Sequence, residues 1–409
     1  MGRKIFTSFL ALVLLLSCTG CASILEGEVT EITPYSTGSD TVVSDTAIEV
    51  STYDQFWQEV YYMVENHIDT AAFRIITFDR DDLEAALNEV CQTLSSSDPL
   101  GSYATYYISC QITPIVGYKD VTVNIVYKKD HSDITNISTV STERYLQLLL
   151  ESSLTEYSSH CTFYTSLSSV TADYIKEILL EQYYSNPLNV IIMPDITVTS
   201  YPETEGERIM EVTFDFNNYT RNVLTSMDGD LNDGIQDIIS TLPDSDDAQL
   251  LYAIYDHMAN SYIYHKKAAT NLASTAYNVI VNRSGDSEGY AMAFKSLCDK
   301  LVIGCTVVQG KYMGEEHYWN IVTFGDNSYH VDVTTVPSED VITFLRSDEY
   351  MRENYWWDTS TVSACPFDYD FTAETYTPEV SEEEPELETE TSETETSESE
   401  TPETEQQQP

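Results

Sequence analysis

The amino-acid sequence predicts an α+β fold, with two small α+β repeats in the N-terminal half and a larger α+β domain after them. Three observations support this prediction. Apolar residues recur at helical spacing in some segments and alternate with polar residues in others. The same order of helices and strands occurs twice, with a period of roughly 88 residues. From Asp246 onward the pattern changes to longer helices.

Residues 53–225 contain the duplicated pattern of helix, strand, helix and two strands. The helical spacing of Phe56, Val60 and Val64 begins the first copy. The other predicted elements are Phe73–Phe78, Leu83–Leu94, Tyr106–Ile115 and Val121–Tyr127 in the first copy, and Tyr145–Leu150, Cys161–Thr165, Ala172–Tyr183, Asn189–Thr199 and Ile209–Phe216 in the second. Neither copy concentrates catalytic residue types, and we interpret them as two small α+β units packed side by side.

The N-terminus has the pattern of a lipoprotein signal peptide. Arg3 and Lys4 precede a largely apolar run, Ile5–Leu16, which is too short to span a bilayer. The run ends at Cys18, in the position of a lipidated cysteine, and Cys21 is the alternative. Cys18 is favoured because choosing Cys21 would place a cysteine where an aliphatic residue is usual. The sequence therefore predicts an extracytoplasmic protein, anchored by lipid to the cell membrane of a bacterium.

Three segments at the ends are predicted to lie outside the folded part. Residues 1–21 are the signal peptide and lipobox, and residues 22–52 form a flexible tether rich in Ser, Thr and Glu. Residues 376–409 consist mostly of Glu, Thr, Ser, Pro and Gln, a composition that cannot bury a core, so this acidic tail is predicted to be disordered.

The overall charge limits the class of partner. The net charge is −49, which would repel nucleic acid and anionic lipid. Tyr is abundant at 30 residues against 19 Lys and Arg together, a composition suited to binding sugars or peptides. We expect a peptide, protein or cell-wall ligand, no nucleic acid, and a membrane contact through the lipid anchor alone.

Neither the cysteines nor the acidic residues indicate a metal or a cofactor. The six cysteines after the signal peptide lack the paired spacing of a zinc site, and we interpret them as buried small side chains with at most one disulfide. The segment Asp228–Gly234 resembles a calcium loop, but its glycine falls one position late and Ile239 stands where a bidentate Glu is required. We predict an acidic turn between two domains there.

Three blocks carry the candidate chemistry. Ser287-Glu288-Gly289-Tyr290-Ala291 runs into an amphipathic helix, and His317-Tyr318-Trp319-Asn320 lies on a predicted strand. Tyr329-His330-Val331-Asp332-Val333-Thr334 lies on the next strand. A nucleophile at the first turn of a helix lies at the positive end of the helix dipole, which lowers the pKa of a thiol. A histidine on a neighbouring strand can take its proton, and a carboxylate can fix the histidine tautomer.

These blocks, in this order, resemble the transglutaminase-like superfamily. The resemblance spans about a quarter of the chain and implies a papain-like α+β domain, which we assign to residues 230–371. It implies His317 as the base and Asp332 as the residue that orients it. The nucleophilic cysteine position of the family is occupied here by Ser287. Trp319 and Tyr290 lie beside these positions and are candidate ligand contacts.

The serine changes the expected function. A thiol can form a stable thiolate–imidazolium pair with a histidine, whereas a serine hydroxyl has far too high a pKa for such a pair. Asp286 adds a negative charge beside the nucleophile position. We therefore expect a catalytically degenerate cleft that binds peptide or cell-wall material. The alternatives are an acyl-transfer enzyme that uses a Ser287–His317–Asp332 triad and a purely structural envelope protein.

Overall fold

The computed structural model describes residues 47–204, 206–267, 270–334 and 343–370. The chain divides into a unit of residues 1–48, of which Ala47 and Ile48 are described, and a unit of residues 49–409 that contains the rest. The signal peptide, Cys18, Cys21, most of the tether and the acidic tail lie outside the described residues. Among the described helices, none is long and apolar enough to cross a bilayer.

The first α+β repeat is a four-stranded sheet with strand order β1-β2-β4-β3, covered by helices. Its core is a separate hydrophobic cluster that includes Phe56, Phe73 and Leu87. Its elements are β1 (Ile48–Glu49), α1 (Tyr53–Glu65), β2 (Thr70–Ile75), α2 (Leu83–Ser96), α3 (Pro99–Ala104), β3 (Thr105–Ile115) and β4 (Tyr118–Tyr127).

The second repeat has the same sheet order, β5-β6-β8-β7. Its elements are α4 (His131–Thr135), β5 (Ser138–Val140), α5 (Glu143–Thr155), β6 (His160–Thr165), α6 (Ala172–Ser185), β7 (Asp195–Tyr201) and β8 (Arg208–Asp215). Corresponding elements begin at residues 53 and 143, 70 and 160, and 118 and 208, an offset of about 90 residues. The predicted duplication is therefore visible in both the order and the spacing of the elements.

Two predicted strands have different limits in the structure. The first strand ends at Ile75, before the polar stretch in which the Asp82 side chain caps α2. The predicted strand Asn189–Thr199 is confined to Asp195–Tyr201. Val190, Ile191 and Ile192 are instead buried in an irregular segment ahead of Pro194, which lacks the N–H that a strand requires. Their apolar character reflects core packing and not strand pairing.

The prediction of an acidic turn at Asp228–Gly234 is wrong, because this segment lies inside a 20-residue helix, α7 (Arg221–Ser240). One face of α7 is buried, and its members Leu224, Met227, Leu231, Ile235 and Ile238 recur at helical spacing. Burial of this stripe outweighs the cost of two internal glycines, about 1 kcal/mol each. A side chain at Gly234 would place Cβ 2.8 Å from Ile280 Cγ2, so this glycine permits close packing.

Helix α7 joins the second repeat to the C-terminal region in one hydrophobic core. A single cluster contains Phe163 of the second repeat, Leu231 of α7 and Phe294 of the C-terminal region. The same helix also holds the second repeat through a polar contact, because Tyr157 Oη donates to Asp228 Oδ1 at 2.6 Å. The domain boundary predicted between residues 225 and 230 therefore falls inside a helix that both neighbours bury.

The C-terminal region packs a central helix, α10, against an antiparallel sheet of order β13-β12-β11-β14. Its elements are α8 (Asp247–Ser261), β9 (Ile263–Tyr264), a 3₁₀ turn (Asn271–Ser274), α9 (Ala276–Asn282), β10 (Ser284–Gly285), α10 (Ser287–Lys300), β11 (Gly304–Tyr312), β12 (Glu315–Phe324), β13 (Asn327–Val331), α11 (Asp348–Met351) and β14 (Tyr355–Trp357). The N-terminus of α10 faces β12, the strand that carries His317. This is the α+β arrangement that the sequence blocks predicted.

Candidate active site

Ser287 is the first residue of α10, as the sequence predicted, and 8% of its surface is exposed. Asp286 caps the helix, because its Oδ1 accepts from the backbone N–H of Gly289 at 3.1 Å. The second carboxylate oxygen of Asp286 accepts from Ser274 Oγ at 2.7 Å. A Cβ at Gly289 would lie 3.1 Å from the Ala273 carbonyl oxygen. The absence of a side chain there lets this end of α10 pack closely on the preceding turn.

His317 and Asp332 form a buried pair, with His317 Nε2 and Asp332 Oδ2 2.7 Å apart. Asp332 also accepts from Tyr355 Oη at 2.7 Å, and from the backbone N–H and Oγ1 of Thr334 at 2.9 and 2.6 Å. Burial raises the pKa of Asp332, but the charge of His317 and these hydrogen bonds outweigh it, and the pKa is lowered overall. Asp332 is therefore held as a carboxylate that fixes the tautomer of His317.

The remaining nitrogen of His317, Nδ1, is the one available for proton transfer. Because Nε2 is engaged by Asp332, it carries the ring proton in the neutral form, and Nδ1 is then an acceptor. Within the described ranges, Nδ1 makes no hydrogen bond. The pair thus has the chemical form of a general base with its orienting carboxylate.

Ser287 lies next to this pair without being bonded to it. Its Oγ accepts a hydrogen bond from the backbone N–H of Tyr318, the residue after His317, at 3.3 Å. In the part of the chain that the structure describes, no hydrogen bond joins Ser287 to His317. Asn320 ties the two elements together, because its Nδ2 donates to the Ala291 carbonyl in α10 at 2.9 Å. The structure therefore brings all three predicted triad positions together. The serine hydroxyl, however, is bonded to the backbone N–H of Tyr318 and not to the histidine.

The prediction that Trp319 and Tyr290 contact a ligand does not fit their burial. Their exposed fractions are 1% and 2%. Tyr290 packs edge-on against Tyr264 in the core. Trp319 packs over Gly310, where a Cβ would lie 2.6 Å from Trp319 Cη2. Both side chains support the site from behind and do not line an opening.

A second buried histidine pair, which the sequence did not single out, holds Trp319 in place. His330 Nδ1 accepts from Trp319 Nε1 at 3.0 Å, and His330 Nε2 lies 2.9 Å from Asp348 Oδ1. Cys365 completes a group whose potential ligand atoms lie within 4.8 Å of one another. The indole N–H occupies Nδ1, so the ring proton of neutral His330 is on Nε2, which leaves no lone pair for a metal. Burial lowers the pKa of His330, consistent with this neutral form.

Sequence reasoning also missed three members of the polar rim of the site, Glu288, Tyr184 and Tyr318, which together with Asp286 make up that rim. All four are partly exposed. Tyr184 of α6 donates to Glu288 Oε1 at 3.0 Å and lies 3.5 Å from Tyr318 Oη. Burial is the main cause that raises the pKa of Glu288 to about 7, and the neighbouring Asp286 adds to it. Glu288 could be noticed beside Ser287, but no local pattern links it to a tyrosine 104 residues away.

This arrangement belongs to the class of folds in which a nucleophile position at a helix start faces a histidine–carboxylate pair. Residues 236–333 match the family model of the transglutaminase-like superfamily. The chain therefore carries a transglutaminase-like domain, in a mixed α+β fold. Comparison with curated proteins gives no match.

Three solved structures show remote similarity. A crystal structure of a TGase is 12% identical, with a TM-score of 0.27, over 60% of this chain and 67% of that chain. A proposed cysteine protease from Cytophaga hutchinsonii is 15% identical, with a TM-score of 0.24, over 42% of this chain and 69% of that one. A proposed protease from Parabacteroides distasonis ATCC 8503 is 10% identical, with a TM-score of 0.19, over 53% of this chain and 49% of that one.

Proposed function

We propose that this chain is a lipid-anchored extracytoplasmic protein whose transglutaminase-like domain binds peptide or cell-wall material without efficient turnover. The observation that carries the proposal is the state of Ser287. Its Oγ accepts from the Tyr318 N–H and makes no hydrogen bond to His317 among the residues described. A serine nucleophile must also donate its own proton to the base, and that bond is the one missing among the described residues.

The charges around Ser287 support the same proposal. Asp286 caps α10, so a carboxylate lies where the helix dipole would otherwise favour a negative nucleophile. Glu288 has a pKa of about 7 and becomes negative as the pH rises above that value. Both carboxylates disfavour a developing alkoxide on Ser287. A thiolate would tolerate this field better, because its intrinsic pKa is far lower than that of an alcohol.

The same groups can hold a ligand that is not cleaved. The rim residues Tyr184, Tyr318, Asp286 and Glu288 present hydroxyl and carboxyl groups that can hydrogen-bond amide, amine or sugar groups. His317 Nδ1 adds one acceptor within the site. Aromatic and polar side chains together are typical of surfaces that recognise peptides and sugars.

A second candidate, an acyl-transfer enzyme that uses Ser287, His317 and Asp332, is favoured by one observation. The His317–Asp332 pair is intact, at 2.7 Å, and the pKa of Asp332 is lowered. Such a pair is the part of a triad that activates a hydroxyl. Activity would require the Ser287 hydroxyl, which can keep its bond from the Tyr318 N–H, to donate its proton to His317 Nδ1.

We expect the full-length protein to bind soluble muropeptides and to release them unchanged. Tyr184→Phe removes one rim hydroxyl and should weaken binding about fivefold, the effect of one hydrogen bond. Tyr174→Phe, on the same helix but hydrogen-bonded to Glu143, is the matched control and should have no effect. Calorimetry measures the affinities, and mass spectrometry measures the recovered ligand. Cleavage that disappears in Ser287→Ala would contradict the proposal and establish the enzyme.

The anchor is tested separately. Metabolic palmitate labelling should modify the protein, and Cys18→Ala should abolish the label because that residue follows the apolar run. Cys21→Ala is the matched control and should keep the label. Loss of the label only in Cys21→Ala would assign the lipid to Cys21, and unlabelled wild-type protein would remove the lipid anchor from the proposal.

A further inference from the structure

Two cysteines of the first repeat lie on facing elements of one hydrophobic cluster, α2 and β3. Cys91 lies on α2 and is 3% exposed, and Cys110 lies on β3, where it is partly buried against the same hydrophobic cluster. The thiol of Cys110 is 3.5 Å from Asn88 Oδ1. Asn88 and Cys91 are three residues apart on α2, so they share a helix face. The strand thiol therefore points at the helix face that carries the second thiol.

Each thiol acts most strongly on the other: Cys110 is the main cause that raises the pKa of Cys91, and Cys91 is the main cause that lowers the pKa of Cys110. The more exposed thiol is thus the one that ionises more readily. Cys161 and Cys365 are buried cysteines whose pKa values burial raises, to about 11 and about 12.

We propose that Cys91 and Cys110 are a disulfide-forming pair that closes when the protein meets a small-molecule disulfide. The Cys110 thiolate attacks the disulfide, forms a mixed disulfide and releases the first small thiolate. Cys91 then gives up its proton, attacks the Cys110 sulfur and expels the second. Two protein thiols are oxidised, one small disulfide is reduced to two thiols, and the protons go to the departing thiolates.

A second pair, Cys298 and Cys305, has a similar placement but is not part of the proposal. Lys295, three residues before Cys298 on α10, donates to the Cys305 carbonyl oxygen at 3.0 Å. Cys298 is fully buried, and burial is the main cause that raises its pKa. The proposal for Cys91 and Cys110 does not depend on the function assigned to the Ser287 site.

The test uses the full-length protein, reduced and then incubated with oxidised glutathione before alkylation under denaturing conditions. Peptide mapping without reduction should recover a cross-linked peptide of Cys91 and Cys110, about 2 Da lighter than the two reduced peptides together. The amounts of the alkylated Cys91 and Cys110 peptides should fall at least tenfold. The amounts of the alkylated Cys161 and Cys365 peptides should not change.

Two variants provide the controls. Cys161→Ala removes a buried cysteine outside the pair and should leave the cross-link in place. Cys91→Ala should abolish it and leave Cys110 as a mixed disulfide with glutathione, about 305 Da heavier than the free thiol. Full alkylation of Cys91 and Cys110 in wild-type protein, or a cross-link from either one to another cysteine, would overturn the proposal. The wild-type map decides the question even if a variant does not fold.

Discussion

Replacing Ser287 by cysteine will create a thiol that reacts with iodoacetamide at pH 6 on the order of 100-fold faster than the native buried cysteines. An ordinary thiol is almost wholly protonated at this pH. The new thiol would lie at the start of α10, next to the strand that carries His317, whose tautomer Asp332 fixes. Glu288, with a pKa of about 7, is mostly protonated at pH 6 and does not oppose the thiolate there.

The double variant supplies the control for this prediction. Adding His317→Ala to Ser287→Cys removes the imidazolium partner, so the rate should return toward that of a normal thiol. Cys298 and Cys365 serve as internal references, since burial raises both of their pKa values. An introduced thiol no faster than these two would show that the site has lost the geometry of a cysteine nucleophile as well as its sulfur.

Truncating Leu231 to alanine will lower the free energy of unfolding by about 3 kcal/mol. Leu231 is fully buried on α7, in the core that the second repeat shares with the transglutaminase-like domain. The protection of backbone amides against hydrogen exchange, measured by mass spectrometry, should therefore fall in both β8 of the repeat and β12 of the domain. A loss of about 3 kcal/mol corresponds to a fall of roughly 100-fold.

Asp230→Ala is the matched control, because Asp230 is exposed on the same helix and its truncation creates no cavity. Protection in both strands should remain within about a factor of two of wild type. Loss of protection in β12 alone, with β8 unchanged after Leu231→Ala, would show that the repeat and the domain unfold as separate units, as the predicted acidic linker implied.

Periodicity in the sequence was sufficient for most of the fold. The helices around Phe56, Leu83 and Ala172 appear where apolar residues recur every three or four positions, because a buried helix face imposes that spacing. The error at α7 has a physical cause. Asp230 and Asp233 lie on its solvent face and, with Gly229 and Gly234, suggest a turn, while the apolar stripe is visible only when the window is extended to Ile238.

The candidate site could be predicted only in part. The roles of Ser287, His317 and Asp332 followed from the resemblance of their sequence blocks to the transglutaminase-like superfamily, and the structure brings the three residues together. The hydrogen bonds from Tyr355 and Tyr184 come from distant positions, so no local pattern reveals them. The burial of Trp319 also depends on tertiary packing, here on the hydrogen bond to His330. A motif gives residue types, whereas exposure is decided by the elements that pack around it.

The central claim is that Ser287 does not act as a nucleophile. It is tested most directly by treating the full-length wild-type protein with a fluorophosphonate probe and mapping the modified residue by mass spectrometry. We expect no label at Ser287, because among the described residues its hydroxyl makes no hydrogen bond to His317, and two carboxylates flank it. Rapid labelling of Ser287 that His317→Ala abolishes would contradict the claim and establish a working serine triad.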